Sequence, residues 1–142
     1  MRNTFKNCYS LTSINLSNLI TSNYVFIISV FENCGKLISL DLSNFVTSRV
    51  NNISSLFSNY SSLENLKLNF DTSQVSKMQY MFNSCFWLKS LDLASFNTQK
   101  CTDFTGIFEN DEGLNLYIKN NTCSNLVGQL PDYINAIDSS QR

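Results

Sequence analysis

The sequence has no histidine and few charged side chains. Lys, Arg, Asp and Glu make up 15% of its 142 residues, and the formal net charge is −1. Without histidine a Ser-His-Asp triad or a Cys-His pair cannot form, and neither a glycine-rich phosphate loop nor a metal-ligand spacing is visible. We therefore expect no enzymatic activity and no cofactor. The charge balance gives no electrostatic reason to expect nucleic acid as a partner.

Long apolar runs, glycine and proline are also scarce. The apolar stretch 24–31 falls well short of the ~20 residues that span a bilayer, so we expect no membrane insertion by this chain. The first residues lack the apolar core of a signal peptide, which favours either a protein not exported by itself or a piece of a longer one. With four glycines and one proline, no flexible linker is evident.

The abundant feature is an internal repeat of 25 or 26 residues. Leucine or another apolar residue follows each repeat start at a fixed offset, and a threonine recurs later in most repeats. The repeats start at five phenylalanines: Phe5, Phe31, Phe57, Phe82 and Phe108. Such a period is typical of proteins that stack one structural unit on the next.

Each repeat combines two hydrophobic periods. Residues 37–42 alternate between apolar and polar, as in a strand, whereas Val50, Ile53, Leu56 and Phe57 have helical spacing. We expect Thr47 or Ser48 to cap this helix. The pattern predicts an α/β leucine-rich-repeat solenoid of about five units of 25–26 residues, each a short parallel β-strand plus a short helix.

The repeats set the expected domain boundaries. Residues 1–119 are predicted to form the solenoid, with an incomplete N-terminal unit, and residues 120–142 an irregular C-terminal cap or tail. Within this tail, Pro131 is well placed as the first residue of a short helix over residues 130–137.

One string of residues carries a family resemblance. Residues 81–98 read M-F-N-S-C-F-W-L-K-S-L-D-L-A-S-F-N-T, and related pieces recur in the same order in the other repeats. This string resembles the repeat of BspA-like leucine-rich-repeat surface proteins. The resemblance covers roughly residues 5–108 and implies a location on the cell surface or outside the cell and a role in adhesion. It implies no catalytic residue.

The five cysteines fall mostly on the repeat grid. Cys8, Cys34 and Cys85 share one position, where the third and fifth repeats have Tyr60 and Asp111. Small buried thiols explain this column, although neighbouring strands lie close enough for a Cys8–Cys34 disulfide. We expect Cys34 and Cys85 to be free thiols in the core. The repeat that contains Tyr60 lies between them, so they should be ~10 Å apart, too far for a direct disulfide.

The outward strand positions are the predicted contact surface. They place Asp41, Asn65, Lys67 and Asp92 in polar columns, which form either a solvated face or a binding face. Two charge pairs within these columns, Asp41–Lys67 and Lys67–Asp92, would form a cross-strand ladder.

Hydrophobic residues break the polar pattern in two places. Phe86 and Trp87 occupy turn positions that are mostly polar in other repeats, and we predict them to be aromatic anchors at the border of the binding face. Val25, Phe26 and Ile28 interrupt the polar side of the first predicted helix, through local packing, a register slip or a second contact site.

The sequence thus favours a non-enzymatic binding or adhesion module, a segment of a cell-surface protein that contacts a protein or glycan on host or matrix. The alternative is a purely structural spacer that displays another domain of a longer chain. The surface assignment rests on the resemblance and the binding assignment on analogy between folds.

Overall fold

The computed structural model describes residues 1–141 as short parallel strands joined by turns. The strands are β1 (Ser39–Asp41), β2 (Asn65–Lys67), β3 (Ser90–Asp92), β4 (Asn115–Ile118) and β5 (Asn135–Asp138). One α-helix, α1 (Asn120–Val127), lies between β4 and β5, and a 3-10 helix covers Ser139–Gln141.

The strands form two small sheets. Strand β1 pairs with β2, and β3 pairs with β4, which pairs with β5; every pairing is parallel. On the opposite side of the molecule, isolated parallel bridges join successive repeats, namely Arg2–Ile28, Phe26–Asn52, Asn52–Lys77 and Lys77–Asp103. Equivalent residues of neighbouring repeats are therefore joined on both sides of the core.

Aromatic rings stack along the core between these two sides. The phenylalanines that start the five repeats form one column, with ring centroids 5.4 to 6.2 Å apart. Phe45, Phe70 and Phe96 form a second column with centroids 6.3 Å apart. Nearly parallel rings at these distances add to the energy of burial. They also require each repeat to keep its offset from the next.

The predicted helix in each repeat is wrong. Val50, Ile53, Leu56 and Phe57 are fully buried, as their spacing indicated, but their backbone forms turns and a bridge. Within residues 1–141 the one α-helix is α1, which lies in the region predicted to be an irregular tail. The prediction of a leucine-rich-repeat solenoid built from strand-plus-helix units is therefore incorrect.

Backbone hydrogen bonding explains why no helix forms there. The N–H groups of Ile53 and Phe57 donate to carbonyls of the following repeat, at Lys77 and Met81, with N···O distances of 3.1 and 2.9 Å. Ser55 adopts a left-handed φ of 54°. A left-handed residue interrupts the i to i−4 bonding of an α-helix. Helical spacing of apolar side chains here reflects burial by turns rather than a helix.

The threonine column also differs from the expected helix caps. Thr21, Thr47, Thr72 and Thr98 are at most 3% exposed. The Thr72 hydroxyl donates to the Asn97 carbonyl and accepts from the Asn97 N–H, each at 2.8 Å. The threonine hydroxyl therefore hydrogen-bonds to the backbone of the next repeat, as a backbone N–H or C=O group would. A side chain without a hydroxyl cannot form these bonds.

The C-terminal residues continue the pairing. Helix α1 contributes Cys123 and Leu126 to the core, and β5 adds a strand beside β4. The predicted helix beginning at Pro131 is not formed; residues 131–134 turn into β5. Pairing with the exposed edge of β4 supplies partners for the backbone of residues 135–138, which a short isolated helix would lack.

Two core predictions have different outcomes. Leu91 is buried at 1% exposure, as expected, but Leu66 is only half-buried. Leu66 lies on β2, the last strand of the first sheet. Cys34 and Cys85 are confirmed as free, buried thiols.

Candidate functional site

The outward residues of β1 and β2 form part of the predicted contact surface. The register pairs Asp41 with Lys67, and the Lys67 Nζ lies 3.7 Å from the Asp41 Oδ2. Both side chains are more than half exposed, so such a pair contributes only ~0.2–1 kcal/mol to stability. Asn65 pairs with Ser39 at the start of the same two strands.

Asp41 also has a structural role. Its carboxylate accepts hydrogen bonds from the Ser43 hydroxyl at 2.6 Å and from the Ser43 N–H at 3.0 Å. These bonds, the hydroxyl first, lower the pKa of Asp41. Asp92 accepts in the same way from the Ala94 N–H at 2.8 Å. Turn formation alone thus accounts for an aspartate at this position of the repeat.

The predicted cross-strand charge ladder spans both sheets, and its Asp41–Lys67 pair is formed. Asp41 and Lys67 lie on the first sheet, whereas Asp92 lies on β3 in the second sheet, where it pairs with Tyr117. Strands β2 and β3 still contact each other, so the outward columns extend over both sheets.

Phe86 and Trp87 project from a firmly held turn. Their exposed fractions are 51% and 62%, while Cys85 and Leu88 on either side are buried. The Leu88 N–H donates to the Cys85 carbonyl at 2.9 Å, and the Cys85 N–H donates to the Asp111 Oδ1 at 2.6 Å. Two large aromatic side chains are thereby presented to solvent by a rigid backbone.

Trp87 forms one wall of a shallow cavity of about 170 Å³. Its other lining residues are Ile38, Ser62 and Glu64, which come from the two preceding repeats. The backbone fixes this arrangement, because the Glu64 N–H donates to the Ile38 carbonyl at 2.9 Å. Ile38 is 54% exposed and supplies an apolar contact.

Phe86 lines a separate cavity on the other side of the turn. This cavity has a volume of about 310 Å³ and is completed by Lys89, Asn110 and Glu112. The Lys89 ammonium donates to the Glu112 carbonyl at 3.3 Å. The two aromatics of the turn therefore face different neighbours.

The predicted contact surface and the observed cavity share Trp87, but the residues around Trp87 differ between them. The prediction placed Trp87 at the border of a surface centred on Asp41, Asn65, Lys67 and Asp92. The residues that share its cavity are instead Ile38, Ser62 and Glu64, just before β1 and β2. An isoleucine at the outward position 38, where other repeats have Thr12, Glu64 and Lys89, was the available sequence signal.

The other apolar anomaly is partly covered. Val25 and Phe26 are 40% and 36% exposed, and the Arg2 guanidinium lies 4.4 Å from the centre of the Phe26 ring. The Ile28 N–H donates to the Met1 carbonyl at 3.0 Å. The first residues of the chain therefore pack over this surface, and a cation-π contact accounts for the exposed ring.

The cysteine column forms a buried line of ionisable groups. Burial raises the pKa of Cys34 to about 11 and the pKa of Cys85 well above its usual value. Burial also raises the pKa of Asp111 from 3.8 to about 7, and its Oδ2 is buried without a hydrogen-bond partner. Tyr60 is fully buried, its hydroxyl is likewise unpaired, and burial raises its pKa. Protonated thiols are poor nucleophiles and poor metal ligands.

The part of the chain that the structure describes has neither a group of metal ligands nor a membrane-spanning helix. Among residues 1–141, no three His, Cys, Asp or Glu side chains are grouped to hold a metal ion. In the same range, no helix has the length and hydrophobicity required to cross a bilayer.

These features define a repeat protein of short parallel strands and turns, with a presented aromatic turn on its surface. The chain belongs to the family described as "Mycoplasma protein of unknown function, DUF285", which matches residues 1–64 and 25–139. The two matches overlap, as expected for a sequence that repeats itself. Comparisons with curated proteins and with solved structures found no match.

Proposed function

We propose that this chain is a non-enzymatic binding module and that its contact surface is centred on Phe86 and Trp87. The presentation of these two aromatics by a rigid turn is the observation that carries the proposal. The partner is a protein or glycan on host or matrix. Asp41, Asn65, Lys67 and Asp92, on the strand face, extend the contact surface.

The distribution of aromatic residues supports this proposal. The five phenylalanines that start the repeats are stacked in the core, whereas Trp87, the single tryptophan, is 62% exposed. Folding therefore leaves the largest aromatic side chain in water, where its apolar area is not stabilised. Exposed tryptophan is enriched at the centres of interfaces, where a partner covers it.

The rigidity of the turn supports the same function. Hydrogen bonds hold Cys85 and Leu88 on both sides of the aromatic pair, so little backbone freedom remains to be lost on binding. A preorganised surface binds more tightly than a flexible one with equal contacts, because it avoids the entropic cost of ordering.

The available chemical groups favour binding over catalysis. The sequence has no histidine, and burial keeps Cys34 and Cys85 protonated at neutral pH by raising their pKa values. The assignment to the cell surface or to secreted proteins, and to adhesion, rests on the resemblance to BspA-like surface proteins described above.

Binding to immobilised candidates tests the proposal. The wild type and a Phe86→Ala/Trp87→Ala variant would be compared on a panel of purified matrix proteins and an array of glycans. Tyr9→Ala is the matched control, because Tyr9 is 61% exposed at the position of the first repeat that corresponds to Phe86.

We expect at least one ligand to bind the wild type and Tyr9→Ala equally, and the double variant at least tenfold more weakly, since an interface aromatic contributes ~2 kcal/mol or more. Circular dichroism would verify that each variant is folded. Equal binding by all three proteins would place the contact elsewhere, and no binding to any ligand would favour the structural spacer.

A further inference from the structure

The Trp87 cavity, defined by Trp87, Ile38, Ser62 and Glu64, has the size of a site for one side chain. Its volume of about 170 Å³ lies below the ~300–1,000 Å³ typical of sites for whole small molecules. It has an aromatic wall, an apolar wall and one carboxylate. The occupant should therefore be a single group with both an apolar or flat surface and a polar end.

The carboxylate of Glu64 forms no salt bridge with any basic side chain of residues 1–141. The two salt bridges found among residues 1–141 join Lys6 to Glu32 and Lys67 to Asp41. Lys89, which follows Glu64 in the same column, donates its ammonium proton to the Glu112 carbonyl. The Glu64 carboxylate is thus available to pair with a cation of a partner.

The aromatic wall is suited to a cation beside that charge. A cation over an aromatic face is attracted by the ring quadrupole, and tryptophan gives the strongest attraction. The chain already contains one such contact, with the Arg2 guanidinium carbon 4.4 Å from the centre of the Phe26 ring. Arginine combines stacking on a ring with paired hydrogen bonds to a carboxylate, which the ammonium of lysine cannot match.

We propose that the Trp87 cavity receives an arginine side chain of a protein partner, stacked on Trp87 and hydrogen-bonded to the Glu64 carboxylate. The inference rests on the proposed function, because it names the partner chemistry for the same aromatic turn. It selects a protein with an accessible arginine over a neutral glycan as the occupant.

Trp87 reports directly on this site, since it is the single tryptophan of the chain. Its fluorescence would be titrated with the capped peptide acetyl-Gly-Arg-Gly-amide. The isosteric peptide with citrulline in place of arginine and a neutral disaccharide would be titrated in parallel. Glu64→Gln removes the charge with little change in shape, and Glu112→Gln is the matched control at the neighbouring Phe86 cavity.

We expect a saturable change with the arginine peptide that weakens with rising salt, because the contact is exposed and ionic. Citrulline in the peptide or Glu64→Gln in the protein should each weaken binding roughly tenfold, because each removes one charge-assisted contact. Glu112→Gln should leave the affinity within about twofold of the wild-type value, because it does not alter the Trp87 cavity. Circular dichroism would verify the fold of each variant.

Four results would each overturn the inference. Equal responses to the arginine and citrulline peptides, or an unchanged affinity in Glu64→Gln, would remove the role of charge. A saturable response to the disaccharide alone would refute an arginine site while the proposed binding function stands. No response to any probe would refute the arginine site, and the binding panel would then decide the proposed function separately.

Discussion

Replacing Asp111 tests most directly whether burial perturbs the ionisable groups of the column that also contains Cys34, Tyr60 and Cys85. Asp111 occupies the position that other repeats fill with cysteine or tyrosine, is 2% exposed, and has one carboxylate oxygen without a partner. Removal from water raises its pKa from 3.8 to about 7. Between these values the unfolded chain carries a charged carboxylate while the folded chain binds a proton. Folded protein therefore loses stability, relative to unfolded protein, as the pH rises from about 4 to about 7.

The size of the effect follows from the pKa change. At 1.36 kcal/mol for each tenfold change in proton affinity, a rise from 3.8 to about 7 corresponds to on the order of 4 kcal/mol. Relaxation around the charge and entry of water reduce this value, so we expect a difference of ~2–4 kcal/mol. The loss nears completion about one pH unit above the folded-state pKa, where both the folded and the unfolded carboxylate are ionised.

Urea unfolding followed by circular dichroism, at a series of pH values and with reduced thiols, measures this difference. Asp111→Asn and Asp111→Cys both remove the charge; the second restores the residue found at Cys34 and Cys85. Subtracting the curve of the wild type from that of a variant cancels the contribution of other carboxylates. The free energy of unfolding of each variant should rise, relative to wild type, by ~2–4 kcal/mol between pH 4 and 7.5.

Agreement between the two variants would assign the effect to the carboxylate charge, because amide and thiol differ in hydrogen bonding but not in charge over this range. A difference curve that is flat from pH 4 to 7.5, or that falls, would refute the reasoning. It would mean that the Asp111 carboxylate is hydrated or paired with a cation in solution.

Four further substitutions test the core by urea unfolding. Tyr60→Phe should raise the free energy of unfolding by ~1–3 kcal/mol, because it removes a buried hydroxyl without a partner; a destabilised variant would indicate a bound partner. Thr72→Val should lower it by ~1–3 kcal/mol, since both hydrogen bonds to Asn97 are lost; no loss would mean that water replaces them. Leu91→Ala should cost ~2–5 kcal/mol and half-buried Leu66→Ala roughly half as much; equal costs would contradict the difference in burial between the two side chains.

The sequence was sufficient to predict most of the core and the strands of the middle repeats, but neither strand β5 nor the backbone of the second half of each repeat. Strands β1, β2 and β3 lie where the alternating apolar pattern placed them. Val50, Ile53 and Leu56 are buried as their spacing required. Spacing alone does not distinguish a helix from successive turns that bury the same residues. The distinction depends on whether N–H groups bond within the repeat or to the next one.

The sequence predicted the aromatic residues of the candidate site but not their neighbours. Phe86 and Trp87 stood out because they replace polar residues at one position of the repeat. Their neighbours depend on the direction in which each side chain leaves the turn, and no repeat pattern specifies that direction. Ile38 carried a sequence signal as an apolar residue at an outward position, but its place beside Trp87 and Glu64 is visible only in the three-dimensional arrangement.

Hydrogen bonding between repeats has a consequence for how the chain folds during synthesis. The N–H groups of Asn3 and Phe5 donate to the carbonyls of Ile28 and Val30, 25 residues further along the chain. On a ribosome these donors have no partner until the second repeat has left the exit tunnel. Each newly made repeat then exposes its apolar residues until the following one arrives. Folding should advance in steps of one repeat, and a translational pause within a repeat should prolong the interval in which chaperones or proteases can bind the nascent chain.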